Sequence, residues 1–467
     1  MSSSSPLETQ APGTPAISGL SSFGPEHSNR GTSLDGGSVA AAPAAAAAAP
    51  APSSRSFFPP DFLESPSHID GKAFASFLQF KDKDQPPVRD VQFMGGDANP
   101  WRRSSDNSII TDEALIAELK KLKAAAEAED KANGENAERL RGRGVRVDWL
   151  LALTIALDLW DWATWEVVQF LVKPATENSG CCRLADLPAV KPFTGPATVF
   201  ASHCWGASWG TLVASLCAGG SRDRYVWLDI FAVRQWPGNG GDLNFRAGIS
   251  RCTAVLVAMP PLSGPIAEGF LPEIGFEGVT GDDAFGAYLK SDEYVAVSKV
   301  LPLSRLWCIV ELAAAIMSGK PIVFRCATAT VLGPGGRVTV TNGGDAAAEV
   351  LQNFSNMVDV VKAECNVAAD KERELKLVDV PEVNAAVAQC LTAGMAAVQA
   401  NAWEVEAYLC GEHEALDELP VERSLAVLEA ASAAGLAAVV KVLARKVPIH
   451  EECYPLFIAS SNGHLPV

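Results

Sequence analysis

Thr198-Val199-Phe200-Ala201-Ser202-His203-Cys204-Trp205-Gly206 decides the fold class, because it reads as a short apolar strand that stops on polar residues. A helical pattern follows from about Trp209 to Ala218. A second strand reads Tyr225–Ile230 and a third Ala254–Ala258. A helix at Trp307–Met317 then leads into a fourth strand, Pro321–Cys326. Continuous apolar runs alternating with helices predict a mostly parallel sheet covered on both faces. Gly319 stands between the last helix and the last strand, where a C-terminal glycine belongs.

In such a sheet, ligands bind in the crevice beyond the carboxyl ends of the strands. His203 and Trp205 follow the first strand there. Asp229 closes the second, and Arg234-Gln235-Trp236-Pro237-Gly238 follows it. Glu311 lies four residues after Trp307 on a helix, so the two share a face. His203, Trp205, Asp229 and Glu311 are therefore expected around one crevice. Each also has a plain structural role open to it. Glu311 can pair with Arg251 or Arg305, and Asp229 can cap the loop after its strand. His203 can be a satisfied structural imidazole. Trp307 reads as core and Cys308 as buried filler.

At these residues the chain resembles a known family. Ser202-His203, Trp227-Leu228-Asp229 and above all Ser304-Arg305-Leu306-Trp307-Cys308-Ile309-Val310-Glu311-Leu312 look like a TIR domain of the divergent algal and protist type. The likeness covers about residues 196–330. It implies a flavodoxin-like α/β sheet and an intracellular signalling or scaffold role, through protein partners and self-association into a homo-oligomer. It also implies an alternative, since some TIR domains hydrolyse NAD at the nicotinamide–ribose bond. Carried over, the catalytic carboxylate is Glu311, NAD is a substrate rather than a resident cofactor, and His203, Trp205, Asp229 and Trp236 are the candidate binding residues. Trp205 or Trp236 would offer a stacking face for a base. A long insertion, about Leu262 to Val300, separates the third strand from the Glu311 helix.

Outward from this domain, residues 1–54 are mostly Ser, Gly, Pro and Ala and have no periodicity with which to fold, so a disordered tail is expected. Residues 55–195 read as an arm and helices that pack on the core. Thr111 caps a helix that frays toward Gly134. Residues 148–172 are helical and rich in Trp and Leu, too many indoles for a free surface, with Pro174 as the stop. Residues 331–419 read as a linker: a hairpin from Thr328 to Thr341, then helices at Ala346–Met357, Lys371–Leu375 and Pro381–Leu391. Residues 420–467 resemble ankyrin repeats. Leu425–Leu443 looks like the paired helices, and Pro455-Leu456-Phe457-Ile458-Ala459 with Gly463-His464 looks like the start of the next unit. That unit stops at Val467, as expected of a fragment or a vestigial array.

The composition narrows the function classes. Lys+Arg total 38 against 55 Asp+Glu, a net charge of −17, which argues against a nucleic-acid surface. The uninterrupted apolar run Trp149–Leu157 is far short of the roughly 20 residues that span a bilayer, and Met1–Gln10 lacks a secretory pattern. The 11 cysteines are scattered and odd in number, which fits reduced thiols in a cytoplasmic protein. No spacing among them makes a zinc site, and no glycine-rich phosphate loop follows a strand.

Overall fold

The computed structural model describes residues 57–70, 78, 91–93, 101–103, 108–133, 137–260, 292–332, 338–342, 358–365, 368–399, 403–417, 419–433 and 436–447. The tail, the Ala346–Met357 helix, most of the insertion and the second ankyrin-like unit lie outside them.

The strands are β1 (Phe62–Leu63), β2 (Gln92–Phe93), β3 (Trp101–Arg102), β4 (Gly144–Arg146), β5 (Thr194–Gly195), β6 (Val199–Ser202), β7 (Tyr225–Trp227), β8 (Ala254–Ala258), β9 (Ile322–Arg325), β10 (Ala327–Val331) and β11 (Val338–Asn342). Six of them form the central sheet in the order β5-β4-β7-β6-β8-β9. Its parallel part is β7-β6-β8-β9, with Val199 opposite both Val226 and Ala254, and Val255 opposite Ile322. β4 runs antiparallel to β7 and to β5. The expected hairpin is present as β10 and β11, with β1 added to its edge.

The sheet is covered on both faces because its strands are apolar on both. Side chains alternate along a strand, so neighbours enter different cores. Val199, Ala201, Leu256 and Ala258 pack with the Trp209–Cys217 and Val147–Leu157 helices. Phe200, Trp227, Val255, Val257 and Phe324 pack with the Phe245–Arg251 and Leu306–Met317 helices. Phe200 and Trp227 stack across adjacent strands with ring centres 4.7 Å apart.

Three expectations need adjustment. The second strand stops at Trp227, and Asp229–Ala232 is already a helical turn, so Asp229 sits on the turn that leaves the sheet. Pro174 does not end its helix. A π-helical turn, Val168–Val172, precedes Lys173–Glu177, and that wider turn accommodates a residue with no N–H to donate. Of the four tryptophans in this region, Trp149, Trp160 and Trp162 are buried but Trp165 is 47 % exposed.

The C-terminal region is helical, with segments Ala368–Leu375, Val380–Gln399, Trp403–Leu409, Glu414–Asp417, Val421–Ala433 and Ala437–Leu443. Its last four helices share a small core around Val405, Leu416, Leu428, Val439 and Leu443. Buried ion pairs fasten it to the α/β domain. Arg224 Nη2 lies 2.7 Å from Glu412 Oε2, and Arg325 Nε lies 2.9 Å from Glu406 Oε2. Among the described residues, no helix is long and apolar enough to cross a membrane.

Candidate active site

The parallel strand order turns outward in opposite directions from β6, toward β7 on one side and β8 on the other. A crevice is expected beyond the carboxyl end of β6 in such an arrangement. Ser202 ends β6 there, fully buried, and its Oγ donates a 2.6 Å hydrogen bond to Glu311 Oε2. Glu311 is thus held by a hydroxyl, not by Arg251 or Arg305. Arg305 instead pairs with Glu364 at 2.8 Å.

Asp229 approaches from the end of β7. Its Oδ1 accepts from the Ile230 backbone N–H at 2.7 Å, and its Oδ2 accepts from Trp205 Nε1 at 2.7 Å. The residue therefore caps its own turn and also orients an indole. His203 Nε2 lies 3.6 Å from Asp229 Oδ1, too far for a hydrogen bond. The imidazole is buried, and among the described residues its Nε2 has no hydrogen-bond partner.

The loop that carries Trp205 is pinned from several sides. The Trp165 and Thr164 backbone N–H groups donate to the carbonyls of Trp205 and Ala207, and Trp209 N–H donates to the Trp162 carbonyl. Cys204 Sγ reaches the Lys299 carbonyl at 2.8 Å, and Cys308 Sγ reaches the His203 carbonyl at 3.3 Å. A Cβ on Gly206 would lie 2.2 Å from the Lys299 carbonyl oxygen, so that close approach needs glycine. The helices before residue 195 are therefore part of the site's scaffold.

The electrostatics of the crevice are one-sided. Burial pushes the Glu311 carboxyl up to about 8. The Ser202 hydrogen bond opposes that shift, and the nearby Asp229 charge adds to it. Among the described residues, no cation figures among the groups that shift it. Burial also lowers the His203 imidazole, against the pull of Asp229, and keeps it neutral near pH 7. The Cys308 thiol is raised by its burial, which suits filler rather than a nucleophile.

The structure thus brings together Glu311, Asp229, Trp205 and His203. Trp236 stands apart from them. It is buried, and its indole N–H donates to Thr176 Oγ1 at 2.8 Å. Trp307, one turn before Glu311, meets Phe245 edge-to-face at 5.3 Å under the Arg373 guanidinium. Ser202 was missed as a site residue; its signal was a hydroxyl closing an otherwise apolar strand. No known family model, curated protein or solved structure matches the chain, so the TIR and ankyrin likenesses stand on the residues that carry them.

Proposed function

We propose that this crevice hydrolyses the nicotinamide–ribose bond of NAD, with Glu311 as the catalytic carboxylate. The observation that carries this reading is the Glu311 carboxyl itself. It is desolvated, held by Ser202, near a second carboxylate and balanced by no cation among the described residues. A site built this way is short of positive charge, and NAD brings a pyridinium. As the bond breaks, that charge passes to the ribose as an oxocarbenium-like centre, which a carboxylate stabilises. Water adds to the ribose carbon, nicotinamide leaves neutral, and one proton is released. Trp205, with its plane fixed by Asp229, supplies a face for the ring or for the cation.

The ionised form of Glu311 is the working form. Rate at limiting substrate should therefore rise with pH through the region near 8 and level above it. The test is nicotinamide release from NAD by the full chain. Wild type should release it and Glu311→Gln should not. A well-folded wild type with no release at any pH from 6 to 9 would contradict the reading.

A second reading is favoured by the other end of the chain. The Val421–Ala433 and Ala437–Leu443 helices pair as an ankyrin-like unit would, with Val421 and Leu425 exposed one turn apart. On this reading the protein is a signalling or scaffold protein whose helical region binds other proteins and whose TIR-like domain self-associates.

A further inference from the structure

Ser202 is a hydroxyl in an apolar layer. Side chains alternate along β6, so Ser202 falls on the same face of the sheet as Phe200, under the Leu306–Met317 helix. Phe200, Val255 and Val257 on that face are fully buried. A buried hydroxyl costs free energy unless it is bonded, and an alanine would fill the layer without that cost. The partner of this hydroxyl is Glu311 Oε2. Their 2.6 Å separation lies in the short range of a hydroxyl donating to an ionised carboxyl.

The donor is fixed and the acceptor is not. Ser202 is paired with Val257 in the parallel sheet, so its backbone has no freedom of its own. The last torsion of a glutamate side chain is broad and roughly two-fold. The Ser202 bond settles that torsion, because one oxygen is held. Glu311 is half-buried, and its Oε1 has no hydrogen-bond partner among the described residues. Nor is Oε1 one of the buried polar atoms left without a partner, so it reaches the open side of the crevice. The carboxyl therefore has an inner oxygen and an outer one.

We infer that Ser202 is the positioning residue of this site: its hydroxyl holds the inner oxygen of Glu311 and so aims the outer oxygen at the substrate's ribose. Ser202 is fully buried and touches no substrate itself. The role rests on the NAD-hydrolase reading for its substrate, though not for the bond between the two side chains. A carboxylate that stabilises developing positive charge has to be in place beforehand, since turning it during the reaction would forfeit part of the stabilisation. The same bond favours the ionised carboxyl against the effect of burial, which supplies a second readout.

The experiment compares full-chain wild type, Ser202→Ala and Ser202→Thr. Ser202→Ala only removes atoms, and a hydroxyl with a purely structural role would change stability alone. On the positioning account, carbon NMR should show the Glu311 titration of the NAD-free chain raised by about one pH unit in Ser202→Ala, the size of a lost hydrogen bond to a charged group. Ser202→Thr keeps a hydroxyl on the same carbon and should bring the midpoint back. The rising limb of nicotinamide release should move up with that midpoint. Above the limb, kcat of Ser202→Ala should fall about tenfold with KM within about twofold, as when an interaction made only in the transition state is removed.

A Glu311 midpoint unchanged in Ser202→Ala, or a kcat above the limb equal to that of wild type, would overturn the inference. Release by wild type is scored separately. No release at any pH contradicts the hydrolase, while a raised midpoint in Ser202→Ala would still show the carboxyl to be held by Ser202. Release by wild type with midpoint and kcat unmoved in Ser202→Ala keeps the hydrolase and removes the positioning role.

Discussion

Two acids of the same α/β domain, one buried and one half-buried, are treated in opposite ways. Asp242 is fully buried and surrounded by guanidinium groups. Arg143 Nη1 lies 2.8 Å from its Oδ1, Arg183 bonds the same oxygen through Nε at 2.7 Å, and the Arg234 backbone N–H reaches Oδ2 at 3.0 Å. Burial alone would raise this carboxyl. The Arg183 hydrogen bonds and the Arg143 and Arg183 charges outweigh it and hold Asp242 below the usual range. Among the described residues, Glu311 has one hydroxyl partner and a second acid nearby, and burial pushes it up to about 8. Asp242 joins segments far apart in the chain into one body. Glu311 joins little, and its ionised form costs stability. A carboxylate left uncompensated at the end of a parallel strand marks a place kept for a ligand, whereas a compensated one marks a joint.

The sharpest way to break this contrast is Asp242→Asn. It leaves buried arginines without their central anion, and a loss of about 3–5 kcal/mol is expected from denaturant unfolding. The loss should shrink only in acid. A depressed carboxyl gives stability that is present above its unfolded value, near 3.8, and lost as pH falls through its lower folded value.

Glu311→Gln should have the opposite signature. The folded carboxyl binds its proton more tightly than the unfolded one, so wild-type stability declines as pH rises from about 4.5 to about 8. The variant escapes that decline. Relative to wild type it should gain roughly 4 kcal/mol between pH 4.5 and pH 8.5, measured by unfolding at both, while nicotinamide release is lost.

Smaller effects separate the partners. Trp205→Phe removes the indole donor from Asp229 and should cost about 1 kcal/mol in unfolding, with a raised KM for NAD. Asp229→Asn removes a negative neighbour of Glu311. The rising limb of the pH–rate profile should move down by a few tenths of a unit, and a limb that stays put would separate the two acids.

The legible part of this molecule was its periodic part. β6, β8, β9 and the Leu306–Met317 helix follow from apolar runs and from Gly319, which takes φ +62° as a helix-ending glycine does. Asp229 and Trp205 were placed by strand ends, and Glu311 by its spacing from Trp307 on a helix. β4 and β5 were not legible. They are two or three residues long, carry no alternation, and become strands because Val145 finds Val226 and Thr194. Tertiary pairing made them, so residues 144–195 read as an arm although they complete the sheet. The Trp236 contact was not legible for a related reason, since its partner Thr176 lies 60 residues away in the chain. Pro174 was read by its local rule, and the π-helical turn before it is a tertiary accommodation with no local signal.

The central claim is that Glu311, compensated by no cation among the described residues, is kept for a cationic ligand. Its most direct test is the titration of that carboxyl by carbon NMR in the full chain, assigned by difference against Glu311→Gln, with and without NAD. The account predicts a midpoint near 8 in the free chain that falls when NAD binds. A midpoint near 4.5 in the free chain, or one that NAD leaves unchanged, would contradict it.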